Sequence, residues 1–297
     1  MKYSEETLQN WVKPLSPSEE IRAEHTVSMI SRTIKSDEKL KEMDIEIFKQ
    51  GSYANNTNVR SDSDVDICVM LKDTFHTEYA PGKDRKDYGF VASKLSFSDY
   101  RELVKNALLA AFQDEDVYDG NKSLKIKENT YHVKADVVPA FQLRNYYYTG
   151  SVDPNNYIEG TWFRTQNGKS ISNYPKRHLK NGINKNNATN YDYKKLVRIM
   201  KHIKNEMADQ GLVDGEVITS FLVECLIYNI PNSIITGYSS WSETVKQSIL
   251  YLSQSIEEDK HKEWCEVSDM LYLFNGRKWN DSDVLFWLEI MLKYLEY

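Results

Sequence analysis

The sequence predicts an α+β fold, a mixed sheet with helices followed by a C-terminal helical lobe. Alternating, β-branched stretches interleave with helically spaced ones as far as about residue 185, and every periodic segment beyond is helical. The chain has 297 residues, enough for one large domain or two closely packed ones at roughly 100–200 residues each. The expected division is a mixed core with an N-terminal helix over residues 1–185 and a helical lobe over 186–297.

The elements follow in order. Ile21, His25, Met29, Ile30 and Ile34 approximate a helical stripe, which predicts a helix over Ser18–Lys41 with Ser18 as N-cap. Ile45–Lys49 alternates as a strand and ends at Gln50-Gly51-Ser52, with a polar loop expected from Tyr53 to Ser63. Val65–Leu71 reads as a second strand, and Asp73–Leu95 as a loop or insertion. Phe97–Phe112 is helical with Ser98 as cap; Tyr118 and Leu124–Lys127 are strand-like. Thr130–Val138 is a further strand, ended by Pro139. Asn145–Asn190, rich in Asn, Tyr, Gly and Pro, reads as an irregular connection. Helices are predicted over Tyr193–Ala208, Val217–Tyr228, Trp241–Ser255 and Asp281–Tyr297.

Composition excludes several function classes. The three cysteines, Cys68, Cys225 and Cys265, are far apart with no C-x-x-C, so neither a disulfide framework nor a zinc site is indicated. Cys68 and Cys225 read as buried small hydrophobes. Met1–Asn10 is polar and lacks the apolar region of a signal peptide, and no run reaches ~18 apolar residues. The expectation is a cytoplasmic protein with no membrane partner. A net charge of −6 argues against a long nucleic-acid partner, although Lys169–Lys185 and Lys194–Lys204 are locally basic and suit small phosphorylated ligands. The 20 tyrosines fit base-stacking surfaces or a codon bias equally.

The informative stretch is Gln50-Gly51-Ser52 followed by Ser63-Asp64-Val65-Asp66-Ile67-Cys68-Val69. In a strand, side chains at i and i+2 share a face, so Asp64 and Asp66 project together while Val65, Ile67 and Val69 face a core. Paired carboxylates repel unless a cation lies between them, and hard oxygen ligands suit Mg²⁺. Asp62 and Asp64 form a rival pair at the same spacing, but the apolar run begins only at Val65. In Tyr131–Val138, the residues Tyr131, Val133, Ala135 and Val137 alternate onto one face, leaving Asp136 on the other with His132 and Lys134. If this strand lies beside Val65–Leu71, three carboxylates can hold two ions about 3.5–4 Å apart, one activating a hydroxyl and one stabilising a pyrophosphate leaving group. Gly51 lets the backbone approach a triphosphate closely, and backbone N–H groups with the Ser52 hydroxyl can bind phosphate oxygens.

With Asp136-Val137-Val138-Pro139-Ala140-Phe141, Val197-Arg198-Ile199-Met200-Lys201-His202 and Ser172-Asn173-Tyr174-Pro175-Lys176, the span from Gln50 to Pro231 resembles the DNA polymerase β-like nucleotidyltransferases. It is most similar to their oligoadenylate synthetase and cyclic GMP–AMP synthase branch, whose bacterial members are the CD-NTases. The resemblance implies a sheet carrying the aspartates and a helical lobe, residues 186–297, that closes a cleft. It implies attack of a 2′- or 3′-hydroxyl on an α-phosphate, with Asp64, Asp66 and Asp136 holding two Mg²⁺ ions (or Mn²⁺). Gln50, Gly51, Ser52 and Lys201 would bind the nucleoside triphosphates, with Arg198 and Lys204 as alternatives to Lys201. Asn173 falls where some members read the base edge, where asparagine is associated with pyrimidine acceptance. Bacterial members make cyclic di- or trinucleotides in anti-phage (CBASS) signalling, and a downstream effector binds the product. The sequence lacks the Cys/His cluster of the animal DNA sensor, which matches its acidity.

Other enzymes share such a core: linear oligonucleotide synthetases, RNA tailing enzymes, and enzymes that modify a protein or antibiotic. A tailing enzyme needs a basic platform that this chain lacks, and a catalytically dead scaffold would have lost a metal carboxylate. His178 and His202 are better read as structural than as acid–base groups, since metal-activated attack needs neither. Phe221, Leu222, Cys225 and Leu226 form a core stripe with Glu224 as a satisfied carboxylate. Tyr146–Tyr148 fit base stacking or an edge strand.

Overall fold

A computed structural model describes residues 1–59, 64–112, 116–129, 132–276 and 279–297. Asp62 and Tyr131 lie outside the described residues. In chain order the elements are α1 (Glu5–Trp11), α2 (Pro17–Ser36), β1 (Ile45–Gln50), α3 (Gly51–Asn55), β2 (Val65–Glu78) and α4 (Phe97–Ala111). There follow β3 (Val117–Asp119), β4 (Leu124–Ile126), β5 (Ala135–Asn145), β6 (Ile158–Arg164) and β7 (Ser170–Asn173). The rest is helical: α5 (Pro175–Ala188), α6 (Asp192–Asp209), α7 (Ser220–Tyr228), α8 (Asn232–Ile235), α9 (Trp241–Glu257) and α10 (Asp281–Tyr294).

The chain forms two compact units. A sheet unit comprises Ser16–Ala54 and Ser61–Pro175; a helical unit comprises Met1–Leu15, Asn55–Arg60 and Lys176–Tyr297.

In the sheet unit the strand order is β1-β2-β5-β4-β3, with β6 pairing β5 and β7 pairing β6. β2 and β5 run parallel and the other neighbours antiparallel, so the sheet is mixed. α2 and α4 cover the face that presents Val65, Ile67 and Val69: the Tyr100 hydroxyl donates to the Val69 carbonyl at 3.1 Å, and Phe97 meets Phe141 edge-on. Those three β2 residues are fully buried, each stabilising the unit by about 1.5–3 kcal/mol. Cys68 and Met70 are buried too, whereas Asp64 and Asp66 at the start of the strand are partly exposed.

Several elements differ from expectation. α2 is capped by Ser16, not Ser18, because Ser16 and Glu19 form a reciprocal capping box ahead of Pro17. It stops at Ser36, where Asp37 caps the next turn through the Lys39 and Leu40 amides. Its buried stripe is Ala23, Thr26, Ile30 and Ile34, while Ile21 is 68% exposed. α4 is capped by Ser96 rather than Ser98. β2 continues past Leu71 to Glu78 through an irregularity before Phe75, into the expected loop. Tyr53 lies in α3 rather than in a loop. β5 runs through Pro139 instead of ending there: β4 pairs it up to Val137 and β6 from Phe141, so proline stands in the gap between two ladders. Asn145–Asn190, expected to be irregular, holds β6, β7 and α5.

In the helical unit α6 is the centre. Leu196, Val197, Ile199, Met200, Ile203 and Met207 are fully buried in one cluster with Leu222 and Cys225 of α7, Ile249 of α9, Trp287 of α10 and Leu8 of α1. α1, unannounced by the sequence pattern, begins at the Ser4 cap, and Trp11 stacks on His202 at 5.1 Å.

Candidate active site

The sheet register assembles one row of side chains. Gln50 of β1 pairs with Asp66 of β2, Asp66 with Asp136 of β5, and Asp136 with Lys125 of β4. Cross-strand partners share a face, so these four residues project together from four adjacent strands. Asp64 lies two residues before Asp66 and joins the same face. The row occupies the face opposite α2 and α4, as the alternation of apolar and acidic residues in β2 requires.

Gly51 follows Gln50 directly, at φ +67°, a left-handed conformation that favours glycine. A methyl group here would lie 2.2 Å from Oδ2 of Asp66. Backbone and carboxylate therefore touch where phosphate-binding and metal-binding chemistry would meet. Ser52 follows in α3 and is partly exposed.

Lys125, which the sequence reading passed over, is the cation of this cluster. Its Nζ donates to Asp136 at 2.9 and 3.2 Å and to Asp64 at 3.5 Å. Partial burial alone would lower the Lys125 ammonium, but Asp136 and Asp64 hold it above the ordinary lysine value. Burial, then the Asp136 and Asp64 carboxylates, pushes the Asp66 carboxyl up to about 7, with Lys125 opposing. Three carboxylates against one ammonium leave the row short of positive charge. Among the described residues, no three His, Cys, Asp or Glu side chains are set to hold a metal ion as they stand. Asp136 and Asp64 are instead drawn onto an organic cation, the Lys125 ammonium. The donor set, hard oxygens on one face, nonetheless fits a divalent ion that displaces the ammonium.

The remaining predicted residues lie elsewhere. Asn173 of β7 pairs with Thr161, and Thr161 with Gln142 of β5. Gln142 is six positions beyond Asp136, an even number, so Asn173 shares the aspartate face but at the far end of β5. The flanking Ser172 donates to Glu78 at 2.9 Å, and Asn145 donates to the Tyr174 hydroxyl at 2.7 Å, fixing β7. Lys201 lies in the helical unit, 2% exposed. Its Nζ donates to the Thr57 carbonyl and hydroxyl, each at 3.1 Å, and to Glu224 at 2.7 Å. These use all three of its N–H donors, so a phosphate contact requires one of them to break. Arg198 and Lys204 are buried as well. His178 donates or accepts at Glu224, 3.0 Å away. Tyr146 is buried, whereas Tyr147 and Tyr148 are 58% and 57% exposed.

Comparison with known proteins identifies the family and the fold. Residues 27–147 match the model of the nucleotidyltransferase domain, and residues 180–296 that of the cGAS/DncV-like nucleotidyltransferase C-terminal helical domain. The chain is 44% identical, over all of its own length and 99% of the relative's, to a cyclic dipyrimidine nucleotide synthase CdnE of Cecembia lonarensis. It is 36% identical to a protein of the same name from Legionella pneumophila, over 98% of each chain. Among solved structures, it resembles the Rhodothermus marinus CdnE c-UMP-AMP synthase with Apcpp and Upnpp, with a TM-score of 0.87 and 28% identity over 99% of this chain and 97% of that one. The Elizabethkingia meningoseptica CdnE cyclic dinucleotide synthase with GTP and Apcpp gives a TM-score of 0.83 and 29% identity over 99% of this chain and 100% of that one.

Proposed function

The chain belongs to the cGAS/DncV-like nucleotidyltransferase family, and on that premise we propose that it condenses ribonucleoside triphosphates into a pyrimidine-containing cyclic dinucleotide, releasing pyrophosphate. The observation that carries this reading is the in-register pairing of Asp66 with Asp136 on parallel strands, with Asp64 beside them and Gly51 against Asp66.

The family uses divalent metal ions; two Mg²⁺, held by Asp64, Asp66 and Asp136, would activate the attacking hydroxyl and stabilise the departing pyrophosphate. The protein's own groups do the rest. Gln50, Gly51 and Ser52 bind and orient the triphosphate of the donor, the glycine by letting backbone N–H groups come close. Lys125 holds Asp64 and Asp136 until substrate and ions arrive. Asn173 contributes to base choice through its amide, which both donates and accepts. The pyrimidine assignment rests on the two dipyrimidine relatives and the c-UMP-AMP synthase. The helical lobe over 186–297, a cytoplasmic setting, a role in anti-phage signalling and a downstream effector that binds the product belong to the same proposal. Among the described residues, no helix is long and apolar enough to cross a membrane.

The test is to incubate the protein with all four ribonucleoside triphosphates and Mg²⁺, treat with phosphatase, and identify the surviving species by mass spectrometry. A phosphatase-resistant cyclic dinucleotide containing U or C is expected. A linear product ending in a free hydroxyl supports oligonucleotide synthesis instead, and an all-purine cyclic product removes the base assignment.

A further inference from the structure

The chain between Ser52 and Asp64 leaves the sheet unit after Ala54 and belongs to the helical unit over Asn55–Arg60. There α6 grips it at two successive residues. Arg198 donates to the carbonyl of Asn56, which has φ 53°. Lys201, one turn further along the same helix face, takes both the carbonyl and the hydroxyl of Thr57. The Thr57 hydroxyl in turn donates to Oε2 of Glu224 at 2.7 Å, the oxygen that also accepts from Lys201. His178 occupies the other carboxylate oxygen. Thr57, Lys201, Glu224 and His178 are all at most 9% exposed.

A buried ion pair is weak evidence for stabilisation as such, because apolar packing of equal volume does as well. What it supplies here is direction. Lys201 spends two of its three donors on a single residue, and a misplaced Thr57 leaves the buried ammonium with Glu224 alone and two of its donors unmet. The clamped residue stands five positions after Ser52 and seven before Asp64. Both ends of this stretch carry groups assigned to the reaction.

We propose that Lys201, together with Glu224, is a positioning residue for nucleotidyl transfer: it clamps Thr57 and so anchors the chain that continues from Gly51-Ser52, without touching the triphosphate. The assignment of Gly51, Ser52 and Asp64 to the reaction rests on the function proposed above; the clamp does not.

The test uses the full chain as wild type, as Thr57→Val, and as the double variant Lys201→Met with Glu224→Gln, which leaves neither charge buried alone. Hydrogen exchange over residues 51–59 is measured without nucleotide. In parallel, kcat, KM and the Kd for a non-hydrolysable triphosphate analogue are measured with Mg²⁺. Exchange is expected to rise about tenfold in both variants, and kcat to fall about tenfold or more with the analogue's Kd within about threefold of wild type. Unchanged exchange or unchanged kcat in Thr57→Val overturns the proposal. So does analogue binding weakened more than about tenfold in the double variant with binding intact in Thr57→Val, which puts Lys201 on the triphosphate. If the double variant does not fold, Thr57→Val decides, because it removes one hydroxyl and keeps the ion pair. A wild type that transfers no nucleotide defeats the functional reading, and the clamp is then judged on exchange alone.

Discussion

Gly51 lies so close to Asp66 that a methyl group on its α-carbon would stand 2.2 Å from the carboxylate. No rearrangement short of moving the backbone or the acid relieves that contact, and the left-handed φ adds about 1–2 kcal/mol for any L side chain. Gly51→Ala is therefore expected to cut nucleotidyl transfer by roughly 100-fold or more, the scale of a 1 Å displacement at a reacting centre. Steady-state turnover with a thermal melt separates this from simple unfolding, and near-normal turnover contradicts the contact.

The crowding of carboxylates has a pH signature. The Asp66 carboxyl is raised by burial and by its acidic neighbours to about 7, above its unfolded value. A group shifted this way contributes stability at low pH that is lost as pH rises through the folded value. In chelator, wild type should thus lose Tm relative to Asp66→Asn between about pH 4 and 7, and a divalent ion should restore it at pH 8. Melting curves across that range, with and without Mg²⁺, are the check; parallel curves for the two proteins contradict the assignment.

Lys125 is a competitor as well as a partner. A half-exposed ion pair is worth at most about 1 kcal/mol, so Lys125→Ala should destabilise the metal-free protein only slightly. It should also tighten apparent divalent-ion binding about fivefold, because the ion no longer displaces an ammonium. Titration calorimetry with Mn²⁺ reads this directly; weaker binding would mean that Lys125 helps to build the ion site.

Glu224 behaves oppositely to Asp66. Burial alone would raise its carboxyl, but Lys201 and His178 hold it well below the ordinary range. Its stability contribution is present above the unfolded carboxylate pKa and is lost only as pH falls below it. Glu224→Ala strands the Lys201 ammonium and should cost ~3–5 kcal/mol, lowering Tm by about 2–4 °C for each of these. A shift under 2 °C, roughly the effect of less than 1 kcal/mol, contradicts the pairing.

How much of this was legible beforehand follows from the range of each interaction. Asp64, Asp66 and Asp136 stand out because alternation with Val65, Ile67, Ala135 and Val137 is a local pattern, and the parallel register of β2 with β5 only has to bring two such patterns together. Lys125 was invisible: β4 is three residues long, too short for its alternation to distinguish the lysine facing the aspartates from any surface lysine. The reading of Lys201 as a phosphate ligand could not anticipate Thr57, which is 144 positions away, although Glu224 was expected to be satisfied and is. β6 and β7 hid in an Asn- and Tyr-rich stretch whose composition signals loops, and they are held by pairing to β5 rather than by propensity. Pro139 misled for the same reason, since its place between the β4 and β6 ladders is a property of the sheet.

The most direct measurement is pyrophosphate release from a mixture of ribonucleoside triphosphates and Mg²⁺ by wild type and by Asp64→Asn, Asp66→Asn and Asp136→Asn, each shown to be folded. The three carboxylates acting as one metal-binding unit predict release by wild type and loss of about 1000-fold or more in every variant, with no further loss when two are combined. Turnover within about tenfold of wild type in folded Asp66→Asn or Asp136→Asn would contradict the assignment of that in-register pair as the catalytic centre.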